Sequence, residues 1–360
     1  MKNNSIVVSG GHTGGHIFPI ISVCNYLIDN NRTSINFYGS KKSIEYQLTN
    51  KDHYTFRNIE PSKIRTKNLL MLIKGIINFY KTARLAKKYF LIDKPDAVFI
   101  TGGFTSAPIG WAAYKNKIPL IIFCPDIKPG WAIRFLSKYA KYICCSVEES
   151  KNYLPKNKTI VTGYPLRKRF YEKSIINNKR TFNKSEKTLL IMGGSLGSSS
   201  INKFVKKNLL ELIDKHKLIH VSGINDYDKF LKIHHSLNTT MQSRYELYEF
   251  SHLIPDLMIK SDLIISRAGA SIFGELTETR IPALLYPGKF SDQEDNARYL
   301  IDNNAAILLP NINQETCAIV LSLLNNNKLL EKMSMNMDLL KNKDSVKKIA
   351  ELLMEHTNEK

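Results

Sequence analysis

Paired cysteines are the first thing this 360-residue chain lacks. Its five cysteines, Cys24, Cys124, Cys144, Cys145 and Cys317, form no Cys-x-x-Cys spacing and are odd in number. That argues against a disulfide framework or a zinc site and fits a reducing cytoplasm. A long apolar run is missing too: Lys74 and Lys81 interrupt the greasiest region, Leu69 to Phe90, short of the roughly 18 to 20 uncharged residues a spanning helix needs. Met1-Lys2-Asn3-Asn4 passes straight into Ile6-Val7-Val8 without a longer apolar core or cleavage site, so export is not expected. Acidic residues are scarce, 32 against 52 Lys and Arg, for a formal net charge of +20. Charge alone leaves nucleic acid, an anionic membrane and a diphosphate substrate open as partners, but no aromatic-basic RNA motif or helix-turn-helix pattern accompanies it.

What is present is a repeated alternation. Ile6 to Ser9, Ser34 to Tyr38, Ala97 to Thr101, Leu120 to Phe123 and Tyr142 to Cys145 read as buried strands with helical patterns between them. The pattern breaks at Gly163-Tyr164-Pro165, and a polar stretch, Lys173 to Lys187, precedes a fresh strand at Thr188 to Met192. Further strands follow at Leu218 to Ser222, Leu263 to Ser266, Ala283 to Leu285 and Ala306 to Leu309. The expectation is an α/β chain of two Rossmann-like domains with parallel sheets, residues 1–163 and 164–340, facing each other across a cleft. Residues 341–360 are expected to form a helix that packs back on the first domain.

Both halves place paired glycines at the end of their first strand, Gly10-Gly11 and Gly193-Gly194. The loop Gly10-Gly11-His12-Thr13-Gly14-Gly15-His16 lets backbone amides approach a phosphate or sugar, and Pro19 suits the first turn of the helix that follows. A histidine at such a strand end points to general-base chemistry, imidazole titrating ordinarily near 6.5, or to a hydrogen-bonding role. Gly193 to Ser200 has the same strand-to-helix setting, without the Gly-Lys-Ser/Thr of a Walker loop or a well-placed acid for a dinucleotide, which leaves a nucleotide-sugar diphosphate.

Arg267-Ala268-Gly269-Ala270-Ser271 also joins strand to helix, and Glu275 in the first turns suits either ribose hydroxyls or the helix dipole. Asp292, Gln293 and Asn296 open another helix with groups that read sugar hydroxyls, although N-capping also accounts for Asp292. Three carboxylates there lack histidine partners or an Asp-x-Asp core, so no metal is expected. Ile64 to Ile92 combines more apolar surface than one core face requires with Lys and Arg throughout, the composition of a segment held against anionic lipid.

Thr13-Gly14-Gly15-His16-Ile17-Phe18-Pro19, Gly102-Gly103-Phe104-Thr105-Ser106-Ala107-Pro108, Gly193-Gly194-Ser195-Leu196-Gly197 and Arg267-Ala268-Gly269-Ala270 together resemble the MurG family of peptidoglycan glycosyltransferases, in family 28. Their order and spacing cover nearly the whole chain. The resemblance implies a GT-B fold and inverting transfer of N-acetylglucosamine from UDP-GlcNAc to the C4 hydroxyl of undecaprenyl-diphospho-muramoyl-pentapeptide, in cell-wall synthesis that supports cell shape and division. It implies no cofactor, no nucleic acid, and a cytoplasmic enzyme peripheral on the inner face of the cell membrane. His16 is then the base. Thr13, Gly14, Gly15, Gly103 and Phe104 approach the acceptor or its diphosphate. On the donor side stand Arg167, Ser195, Ser251 through its backbone, Arg267, Gly269, the run Ala270, Ser271, Ile272, Phe273, Gly274 and Glu275, then Asp292, Gln293 and Asn296.

The sequence departs from the family at His12, where glycine is expected, and at Cys124 to Trp131, which replaces a His-Glu-Gln-Asn segment. Asp126 stands in for the missing acid, and it competes with His16 for the role of base. Because this change falls on the acceptor side, a relative acting on another lipid or lipid-linked acceptor stays open. So do a UDP-GlcNAc 2-epimerase on the same fold and a basic nucleic-acid-binding protein.

Overall fold

A computed structural model of the chain describes residues 4–11, 14–31, 33–49, 53–60, 69–176, 180–194, 197–288, 293–313 and 315–355. The chain divides into two compact units, Met1–Arg167 with Asn342–Lys360, and Lys168–Lys341.

In the first unit the described residues form β1 (Ser5–Ser9), β2 (Ser34–Gly39), β3 (Tyr54–Asn58), β4 (Ala97–Ile100), β5 (Leu120–Cys124), β6 (Tyr142–Cys145) and β7 (Thr159–Val161). They pair in parallel in the order β3-β2-β1-β4-β5-β6-β7. The second unit holds β8 (Thr188–Met192), β9 (Lys217–Val221), β10 (Tyr245–Tyr248), β11 (Leu263–Ser266), β12 (Ala283–Leu285) and β13 (Ala306–Leu308), parallel in the order β10-β9-β8-β11-β12-β13. Both are doubly wound sheets whose strand order reverses beside the first strand, so each has a switch point where ligands bind beyond the strand ends. Three strands absent from the sequence reading, β3, β7 and β10, all lie at sheet edges.

The central strands read as unbroken apolar runs because helices cover both faces of each sheet. Ile6, Val7 and Val8 of β1 are buried, as are Leu189, Leu190 and Ile191 of β8. A matching clasp closes the start of each sheet. The Asp96 backbone N–H donates to Ser5 O, and Asp96 Oδ2 accepts the Ser5 N–H at 3.0 Å. Asp262 does the same for Thr188, accepting its N–H at 2.8 Å.

The helix Ser345–Met354 packs on the helix Gly14–Asn31 of the first unit. Gly163 turns the chain there with φ +83°, and an added Cβ would lie 2.4 Å from Asn342 Cβ and from Ser345 Oγ. The polar stretch after residue 173 is anchored to the second unit through Arg180. Its buried guanidinium donates to the carbonyls of Thr279 at 2.7 Å, Met258 at 2.6 Å and Ser261, and burial lowers its pKa to about 10.

Candidate functional sites at the two switch points

The first switch point lies between the loops that follow β1 and β4. Gly11 and Gly103 bring those loops into backbone contact: a Cβ on Gly103 (φ +93°) would sit 2.4 Å from Gly11 Cα, so no other residue fits. Thr101, at the end of β4, ties the loops further. Its N–H donates to Ser9 O at 3.2 Å and its Oγ1 to His16 O at 2.7 Å.

His16 returns that contact. Its Nδ1 lies 2.6 Å from Thr101 O, and because a carbonyl only accepts, Nδ1 carries the hydrogen. The lone pair is therefore on Nε2, and the half-buried ring is held in one tautomer with Cε1 against Gly102. With Nδ1 committed to Thr101 O, Nε2 is the ring nitrogen left to accept a proton.

Gly14 and Gly15 open the helix Gly14–Asn31, which begins earlier than a first-turn Pro19 requires. Pro19 therefore lies in the second turn, where it cannot donate to Gly15 O. The Tyr164 hydroxyl donates to that carbonyl instead, at 2.8 Å. Gly103 and half-buried Phe104 precede the helix Ser106–Lys115, whose Ser106 Oγ donates to Gly102 O at 2.6 Å. Asp126 is half-buried just beyond β5, the strand beside β4, and its carbonyl accepts the Cys124 thiol at 3.1 Å. Burial raises the Cys124 pKa well above the usual thiol range, which keeps it protonated. Arg167 ends this unit with its guanidinium 4.7 Å from the Phe18 ring centroid.

The second switch point, between the loops after β8 and β11, is open. A cleft of about 330 Å³ is lined by Met192, Gly193, Gly194, Gly197, Ser266, Arg267, Gly269, Ser271, Ile272, Glu275 and Gln293. Gly193 and Gly197 are required by close backbone approach, to Ser198 N and Ser222 O. Gly194 and Gly269 differ from them: a Cβ on either meets nothing within 4 Å.

Arg267 Nε donates to Gln293 Oε1 at 3.1 Å, and the same oxygen accepts the Gly288 N–H at 3.2 Å. Asn296 Nδ2 donates to Ala268 O at 3.2 Å. These contacts fasten the start of the helix Gln293–Asp302 to the β11 loop and set the guanidinium at the cleft wall. Within the run Ala270 to Glu275, the cleft takes Ser271, Ile272 and Glu275, while Phe273 is buried against Tyr299 and Gly274 is buried in the helix. Ser251 is buried after β10, its Oγ accepting the Leu253 N–H at 3.0 Å. Thr13, Ser195 and Asp292 lie outside the described residues. No cluster of three His, Cys, Asp or Glu side chains able to hold a metal occurs among the described residues.

Sequence reasoning passes over Thr101 and Tyr164, which act through or upon backbone carbonyls and so leave no residue-type signal.

Profiles of the family 28 N-terminal and C-terminal domains match residues 6–145 and 188–353. A UDP-N-acetylglucosamine--N-acetylmuramyl-(pentapeptide) pyrophosphoryl-undecaprenol N-acetylglucosamine transferase from Clostridium botulinum (strain Langeland) is 32% identical over 98% of this chain and 99% of its own. The chain belongs to glycosyltransferase family 28. An enzyme of the same name from Roseiflexus sp. (strain RS-1) is 30% identical over 83% of this chain and 81% of its own. The crystal structure of Acinetobacter baumannii MurG superposes with a TM-score of 0.76 at 22% identity, covering 98% of this chain and 99% of that one, and shares the GT-B fold. A UDP-GlcNAc 2-epimerase from Neisseria meningitidis has the fold too, with a TM-score of 0.67 at 18% identity, over 98% of this chain and 100% of that one. Family 28 membership makes the chain a hexosyltransferase.

Proposed function

We infer that the chain is an N-acetylglucosaminyltransferase that takes its sugar from UDP-GlcNAc and delivers it to a lipid-linked muramoyl-pentapeptide, with inversion at the anomeric carbon. His16 Nε2 removes the proton from the acceptor C4 hydroxyl as that oxygen attacks. The new C–O bond forms, the anomeric bond to the diphosphate breaks, and UDP departs with the bonding pair. Amides of the β8 loop and the Arg267 guanidinium take up charge on the leaving diphosphate, so the step as written asks for no metal. Glu275 accepts from ribose hydroxyls and Gln293 reads the sugar, while Asn296, buried outside the cleft lining, braces the β11 loop through Ala268 O. The observation that carries this reading is the single tautomer of His16, set by Thr101 O.

The acceptor's lipid suggests where the enzyme works. On the helix Leu69–Asp93 the apolar side chains Leu70 (78% exposed), Met71, Ile73, Ile76, Ile77 and Tyr80 (61%) stand out in water, with Lys74, Lys81, Arg84, Lys87 and Lys88 exposed among them. Such a face suits an anionic lipid surface, on which the enzyme rests as a peripheral protein. No helix among the described residues is long and apolar enough to cross a membrane. The part of Ile64 to Ile92 before Leu69 lies outside the described residues.

The test is UDP release from UDP-GlcNAc with and without the muramoyl-pentapeptide lipid. Release that requires this lipid supports the reading. Release only with a different lipid acceptor moves the substrate assignment to the altered Cys124–Trp131 segment, and release with no acceptor alongside epimerised sugar overturns transfer.

A further inference from the structure

Behind the cleft, the second unit contains a chain of polar side chains that the transfer step does not use. His220, on β9, is wholly buried. Its Nδ1 lies 3.0 Å from the Tyr245 hydroxyl and its Nε2 lies 3.1 Å from Asn202 Oδ1. Asn202 Nδ2 in turn donates to Ser222 O and to Asp226 Oδ2, each at 2.9 Å, and Asp226 Oδ1 accepts from Lys229 Nζ at 2.6 Å.

The order of donors follows from the ends. Ser222 O and a salt-bridged carboxylate both accept, so Asn202 must turn its NH₂ to them and its carbonyl oxygen to His220. His220 therefore carries its hydrogen on Nε2 and accepts from Tyr245 on Nδ1. Burial lowers the imidazole pKa to about 3, so this neutral tautomer persists at working pH.

The chain terminates on a carbonyl with a second task. Ser222 O is the atom against which Gly197 closes: a Cβ there would lie 2.2 Å from it. Gly197, with Gly193 and Gly194, lines the cleft. Asn202 also sits in the first turn of the helix Ser199–Leu212 that follows this loop, its N–H donating to Ser198 O at 2.8 Å. One side chain thus links the start of that helix, the turn after β9 and the glycine loop.

We propose that Asn202, His220 and Tyr245 are positioning residues for the donor diphosphate, holding Ser222 O where it fixes the spacing of Gly193, Gly194 and Gly197, without touching substrate. This rests on the reading that the cleft takes the donor. Asn202→Asp keeps the acceptor for His220 but loses the amide donors and faces the Asp226 carboxylate. Tyr245→Phe keeps the ring and removes only the hydroxyl that orients His220.

UDP is titrated calorimetrically into the full-length protein and these two variants, with Arg267→Ala as a control and a melting curve for each. UDP affinity is expected to fall about tenfold in Asn202→Asp and about threefold in Tyr245→Phe. In turnover assays with the muramoyl-pentapeptide lipid, the loss is expected in KM for UDP-GlcNAc with kcat held. Folded variants that melt lower but bind UDP as the wild type does would overturn the proposal, leaving the network a packing feature. Should Asn202→Asp not fold, Tyr245→Phe decides alone. Wild type that fails to bind UDP, or an Arg267→Ala that binds it undiminished, would instead overturn the donor-cleft reading.

Discussion

The two switch points share one plan and are filled differently. Each follows a buried first strand, begins with paired glycines and is closed at the other end by an aspartate clasp, Asp96 on Ser5 and Asp262 on Thr188. In the first unit the two loops touch, Gly11 on Gly103, and His16 is held beside them on Thr101 O. In the second they stay apart, and Gly194 and Gly269 border a cleft of about 330 Å³. One frame therefore yields a held imidazole between touching loops in one unit and an open cleft in the other, the base and the donor site of the proposed transfer. Glycine serves contact alone where Gly11 meets Gly103, whereas the second unit uses it both ways: Gly193 and Gly197 for backbone contact, Gly194 and Gly269 at the open edge of the cleft.

Substitution of the contact glycine should break this comparison most sharply. Gly103→Ala combines a positive φ with a backbone clash, and it is expected to cost about 2–4 kcal/mol in the melting of the first unit and to abolish transfer. UDP binding should survive, measured calorimetrically below the lowered melting temperature.

Acidification should separate the units next. His220 has a folded pKa of about 3 against an ordinary 6.5, so between those values the unfolded chain binds a proton that the folded chain does not. Stability is complete above pH 6.5 and falls as pH drops through that window, by about 2 kcal/mol at pH 5. His216, also lowered mainly by burial, acts in the same direction. Hydrogen exchange is expected to show β8 to β10 opening at pH 5 before β1, β4 and β5.

The smallest effect belongs to the vacant glycine. Gly269→Ala meets no atom within 4 Å and requires no left-handed backbone. Its melting temperature should match wild type, while UDP affinity weakens by at most about fivefold, under ~1 kcal/mol.

The same contrast governs how much the sequence alone discloses. Central strands such as Ile6-Val7-Val8 and Leu189-Leu190-Ile191 are legible because burial on both faces demands unbroken apolar runs. Edge strands are not: β3 is half-exposed, β7 has three residues, and β10 reads Tyr-Glu-Leu-Tyr. Glycine loops are legible because backbone approach at Gly11, Gly103, Gly193 and Gly197 excludes every other residue type. What orients His16 is not, since Thr101 acts through a carbonyl that every residue possesses. The run Ala270 to Glu275 reads as one ligand segment, but a helix of 3.6 residues per turn carries part of each turn away from the cleft, and Phe273 and Gly274 go to packing. Pro19 signals a helix start, yet the helix begins at Gly14, and Tyr164, far along the chain, donates its hydroxyl to the Gly15 O that Pro19 cannot serve.

In the proposed transfer the base and the donor site are separable. Their separability is tested most directly by His16→Ala, comparing acceptor-dependent UDP release with the dissociation constant for UDP. The kcat of His16→Ala is expected to fall about 10²–10⁴-fold with UDP affinity unchanged. Undiminished turnover, or a loss of turnover matched by an equal loss of UDP affinity, would contradict it.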